Sequence, residues 1–100
     1  MKGIVWGLTF ERANEKLTEI VEKYLQMEYH IIEKTVAKNQ VSVVFNNGDS
    51  WQAVVARQHD KRERCNISYI DKQLEKYVSD VFIIIKQCTT AMPFNGVTYF

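Results

Sequence analysis

Between Phe10 and Leu25 the apolar residues Phe10, Ala13, Leu17, Ile20, Val21, Tyr24 and Leu25 fall at helical spacing. They draw one stripe down an amphipathic helix. Glu15, Lys16, Glu19, Glu22 and Lys23 fill the other face. Thr9 stands where its hydroxyl caps the first turn, and Glu11 lies in that turn's positive field. Ahead of the helix, Met1 to Gly7 reads as a short buried strand built on Ile4, Val5 and Trp6.

After Tyr29 the period changes. Ile31, Ile32, Thr35 and Val36 are β-branched, and Lys38-Asn39 is a turn signal. VSVVF (Val41–Phe45) and WQAVVA (Trp51–Ala56) then flank NNGDS, which predicts a tight hairpin with Gly48 free to take positive φ. Arg57 to Arg64 reads as a charged loop, and Ile67 to Ile70 as a further strand ending at Asp71.

The run VFIII alone suggests a strand. Leu74, Tyr77, Val78, Val81, Phe82, Ile84, Ile85 and Cys88, however, keep a helical period while Glu75, Lys76, Ser79 and Asp80 face away. That predicts a second amphipathic helix over Lys72–Gln87. Pro93 and Gly96 break the last stretch, so residues 88–100 are expected to form a packed tail held by Phe94, Tyr99 and Phe100. The order of elements predicts one α/β (α+β) domain over residues 1–100. It has a mixed sheet of about five strands and two helices.

Composition narrows the function classes. Hydrophobic residues make up 46% of 100 residues, and 13 Lys and Arg against 12 Asp and Glu give a formal charge of +1. Overall charge therefore does not advertise nucleic acid or membrane. The longest apolar run has five residues, and the start lacks the features of a secretory signal, so a cytoplasmic protein is expected. Cys65 and Cys88 fit neither a CxxC motif nor a disulfide framework and read as buried thiols. His30 and His59 show no metal-ligand spacing, and neither metal nor cofactor is expected.

KGIVWGLTFERANEKL, VVFNNGDSW, RERCNISYID and the final YF are similar to a group of small phage and prophage proteins of Gram-positive bacteria that carries no assigned activity. The layout also resembles the first part of a P-loop ATPase, in particular the ATPase half of phage terminases. That resemblance implies a P-loop-like topology. It puts Gly7, Leu8 and Thr9 at the end of the phosphate loop and Asp71 where the metal-supporting acid would stand. The pattern departs from a working loop, however. The stretch from Gly3 to Thr9 is too short for GxxxxGK[ST], Leu8 stands where Lys is required, and Lys72 rather than a second acid follows Asp71. Gly7, Thr9 and Asp71 are thus degenerate nucleotide-site positions.

Two readings of Asp71 remain: a ligand-facing carboxylate at a strand end, or the cap of the next helix. Capping is favoured because an Asp directly before a helix is a common N-cap. Arg57, Lys61, Arg62 and Arg64 put four positive charges into eight residues, tempered by Asp60 and Glu63. They suggest a phosphate-contacting or acidic-surface-contacting loop, or a merely solvated one. Asp49 reads as turn chemistry. Tyr99 and Phe100 either staple the tail to the sheet or present an anchor to a partner. The expectation is a non-enzymatic phage accessory protein that binds a host protein or nucleoprotein complex, an anti-CRISPR-like inhibitor of host defence being one form. The alternatives are a nucleic-acid-binding module using loop 57–64 and a degenerate nucleotide-binding domain. Oligomeric state is left open by the sequence.

Overall fold

The computed structural model describes residues 1–57, 63–77 and 96–100. Its elements are β1 (Lys2–Gly7), α1 (Phe10–Gln26), β2 (Ile31–Ala37), β3 (Gln40–Phe45), β4 (Ser50–Val55), β5 (Ile67–Ile70), the short α2 (Leu74–Tyr77) and β6 (Val97–Tyr99). The strands form one mixed sheet in the order β2-β3-β4-β1-β5-β6. β2, β3 and β4 make an antiparallel meander, whereas β1 runs parallel to β4 and β5, and β6 runs parallel to β5.

β1 occupies the middle, with Ile4, Val5 and Trp6 all fully buried. A strand buried on both faces needs a continuous apolar run, which is what IVW supplies. Val5 joins Val41, Val43, Phe45, Trp51 and Ala53 beneath the α1 stripe of Ala13, Leu17, Ile20 and Tyr24. On the opposite face Ile4 and Trp6 pack with Val54, Ala56, Cys65, Ile70 and Leu74. Cys65 is buried, its Sγ within hydrogen-bonding reach of the Ser68 Oγ at 3.1 Å; Cys88 lies outside the described residues.

Local chemistry explains the boundaries. Thr9 is the α1 N-cap and accepts from the Arg12 N–H at 3.3 Å, as its position predicts. The helix ends in a Schellman pair, Tyr29 N–H to Tyr24 O and Glu28 N–H to Leu25 O, with Glu28 in the left-handed region at φ 69°. Glycine usually fills that place. In the β3–β4 hairpin Gly48 takes φ 91°, the positive value expected for it. Asp49 does more than turn. Its carboxylate accepts from the Tyr24 hydroxyl at 2.7 Å, and Trp51 Nε1–H donates to the same hydroxyl at 3.0 Å, so the hairpin is tied to α1.

Two features differ from the sequence expectation. Among the described residues the sheet has six strands rather than about five, because part of the expected tail pairs in parallel with β5, Ser68 opposite Val97 and Ile70 opposite Tyr99. The second helix begins at Leu74 rather than at the expected Lys72, because Lys72 and Gln73 form a turn after Asp71; it is described to Tyr77, and residues 78–87 of the expected helix lie outside the described residues.

Candidate functional site

The carboxyl ends of β1 and β5 lie side by side, and the loop Gly7-Leu8-Thr9 turns from β1 straight into α1. The turn is tight. A Cβ on Gly7 would stand 2.6 Å from the Thr9 carbonyl oxygen and 2.7 Å from the Ala13 Cβ, so only glycine permits this approach.

Asp71 sits directly beyond β5 and is fully buried. Its Oδ2 accepts from Arg12 Nε at 2.6 Å and from the Leu8 N–H at 3.0 Å. Its Oδ1 accepts from Arg12 Nη2 at 2.9 Å and from the Gln73 N–H at 3.0 Å. The Asp71 carbonyl oxygen also takes the Leu74 N–H at 3.1 Å. Four charge-assisted bonds therefore occupy the carboxylate. Burial alone would disfavour its charge, but Arg12 and the two backbone N–H groups outweigh that cost and hold its pKa below the ordinary Asp value. Arg12, hydrogen-bonded to Asp71, has its own pKa raised.

Asp71 is not the residue directly before α2: its side chain takes the Gln73 N–H and its carbonyl the Leu74 N–H, so it closes the turn that leads into the helix. Arg12 belongs to no motif that marks it in the sequence. One cue was present: a cation in the first turn of a helix opposes the macrodipole and calls for an acid elsewhere. Which acid it meets is a matter of tertiary structure.

Around this lock the remaining candidate residues separate. Phe100 lies against it, its N–H donating to Ile70 O at 2.9 Å, its carbonyl accepting from Lys72 N–H at 2.8 Å, and its ring centroid 6.0 Å from the Arg12 guanidinium carbon. The tail is thus stapled to the sheet, while Tyr99 keeps 40% of its surface exposed. An open groove of about 440 Å³ runs beside it, lined by Arg12, Glu15, Lys16, Glu19 and Phe100. Lys16 Nζ stands 3.1 Å from Glu19 and 5.3 Å from the centre of the Tyr69 ring.

Arg57 and Arg64 are both exposed but are not brought together. Ala56 N–H bonds to Gly7 O at the carboxyl end of β1, whereas Asn66 N–H bonds to Lys2 O at its amino end. The two arginines therefore stand at opposite ends of a six-residue strand, on the order of 20 Å apart. Lys61 and Arg62 lie outside the described residues.

The central parallel strands, the short β1–α1 turn and an acid beyond a neighbouring strand define an α/β domain in which the β1–α1 turn and α1 are tied to the end of β5 by a buried carboxylate and its ion pair. No protein-family model and no curated protein matches the sequence. Among solved structures the chain is similar to the large terminase from a thermophilic bacteriophage, solved in complex with ADP. The TM-score is 0.58 at 10% identity, over 98% of this chain and 24% of that one. The chain thus spans about a quarter of the terminase's length, and at this identity the likeness is one of fold.

Proposed function

We propose that this chain is a phage-related accessory domain that works by binding a protein or nucleoprotein complex of the host rather than by hydrolysing a nucleotide. One observation carries the reading. At the place where the terminase-like layout would have its metal-supporting acid, both oxygens of Asp71 are already filled by Arg12, Leu8 and Gln73. A carboxylate held this way has little left to offer a divalent cation without breaking a buried ion pair. The turn that would cradle phosphates is packed too closely against Ala13 to open into a loop of free amides. Inhibition of a host defence complex, anti-CRISPR-like in role, is one form that such binding takes.

Partner contacts are expected at the exposed Tyr99 and Arg57, toward the carboxyl ends of the parallel strands, and separately at the exposed Arg64 at the opposite end, rather than in the interior. The second reading, a degenerate nucleotide-binding domain, is favoured by the fold's likeness to a terminase solved with ADP. Calorimetry and thermal-shift measurements with ATP, and with ADP, in the presence of magnesium separate the two. No heat and no shift are expected, and a saturable response to either nucleotide would favour the second reading. Immobilised chain is expected to retain a saturable host partner, and Tyr99→Ala with Arg64→Ala to weaken that retention. If the native chain instead binds naked DNA or RNA at low salt, and neutralising Arg57, Lys61, Arg62 and Arg64 flattens the salt slope, a nucleic-acid module replaces this reading.

A further inference from the structure

β2 is the outermost strand on the meander side of the sheet. It is exposed along almost its whole length, with Ile32 at 62% and Val36 at 68% exposure. Among the described residues one helix, α1, covers this face of the sheet, and a helix about 10 Å wide spans only two or three strands at about 4.8 Å spacing. Between α1 and β2–β3 there remains a groove of about 270 Å³, its floor formed by Leu17, Val21, Ile31, Val41 and Val43. Leu25 at the groove and Met27 just beyond α1 are more than half exposed. We infer that β2 pairs antiparallel with β2 of a second copy of this chain, about a two-fold axis at Thr35, to give a dimer with one continuous sheet.

The strand's own pattern selects a second copy. A bulge between Ile31 and Glu33 interrupts the ladder at one end, and the Lys38–Asn39 turn ends it at the other. The regular run is therefore Glu33–Ala37. Full antiparallel overlap of that run with itself sets Thr35 opposite Thr35, Lys34 opposite Val36 and Glu33 opposite Ala37. No like charges meet, and each pair shares one face of the sheet, as the pleat requires.

The backbone agrees with that register. Ala37 and Gln40 close the two-residue turn, so alternation points the backbone groups of Lys34 and Val36 outward. In the overlap these two residues are the ones that bond each other reciprocally. Ile32 and Val36 on β2 itself, and Leu25, Met27 and Tyr29 ahead of it in the chain, are exposed apolar residues. The other outer strand, β6, has only three residues and offers no comparable edge.

Sedimentation equilibrium of the full chain tests the inference. The native chain is expected to dimerise. Val36→Pro removes an outward N–H at an edge position that tolerates proline, and is expected to weaken the dimer roughly tenfold or more while circular dichroism stays native. Thr35→Lys and Thr35→Glu each put like charges opposite one another at the axis and are expected to be monomeric alone, whereas their equimolar mixture regains the dimer. A native chain that stays monomeric at high micromolar concentration overturns the inference. So does a dimer insensitive to Val36→Pro, or a Lys/Glu mixture that fails to reassociate.

Discussion

Replacing Arg12 by Leu removes two of the four donors to Asp71 and leaves a fully buried carboxylate held by the Leu8 and Gln73 amides alone. Taking one partner from a buried ion pair costs about 3–5 kcal/mol. Arg12 keeps 34% of its side chain exposed, so water reaches the vacated space and the lower end, about 3 kcal/mol, is expected. For a domain of this size that corresponds to a fall in Tm of roughly 12–24 °C.

Urea unfolding of native, Arg12→Leu, Asp71→Asn and the double variant gives a double-mutant cycle with a coupling of about 2 kcal/mol. Acid supplies an independent check. The Asp71 pKa is lowered in the fold, so its contribution is present above the unfolded value of about 4 and is lost as pH falls through the folded value. Asp71→Asn is expected to remove that part of the acid limb. A cost below about 0.5 kcal/mol for Arg12→Leu, or additive single variants, would refute the lock.

Three further outcomes follow from the same geometry. Glu28→Gly relieves a left-handed residue at the α1 C-terminus and should raise stability by about 1 kcal/mol in urea unfolding, with no change in m. Gly7→Ala drives a methyl into Ala13 and the Thr9 carbonyl and should cost about 2 kcal/mol by the same assay. Burial, with the Asp49 carboxylate beside it, pushes the Tyr24 pKa up to about 12. Its contribution is therefore whole below the unfolded value of about 10 and disappears as pH rises toward 12, an alkaline limb that urea midpoints will show in the native chain and not in Tyr24→Phe.

Much of the fold is legible because its signals are local. The α1 stripe, the Thr9 cap and the Gly48 hairpin each declare themselves within a few residues. β6 was hidden for the opposite reason. Val97–Tyr99 is too short to alternate, follows Gly96 closely, and owes its conformation to β5, some thirty positions earlier in the chain. The site divides in the same way. The local role of Asp71 is readable because closing a turn needs only the next few residues, whereas its second role depends on Arg12 across the fold. Arg57 and Arg64 are close in sequence and far apart in space because β4 ends beside the carboxyl end of β1 while β5, parallel to it, starts beside the amino end.

The central placement of β1 governs how the chain reaches this state. Gly3 is bridged by Trp51 on one side and Ile67 on the other, so the strand made first has to wait for β4 and then β5 before it has both neighbours. The β2–β3–β4 meander needs only short loop closures and is the natural nucleus, with parallel pairing of β1 and β5 following at greater entropic expense. Substitutions at the Gly48 hairpin should therefore slow refolding, and substitutions in β5 should mainly hasten unfolding. Until β1 is enclosed, Ile4, Val5 and Trp6 present an apolar ribbon to solvent, and the nascent chain is at its most aggregation-prone.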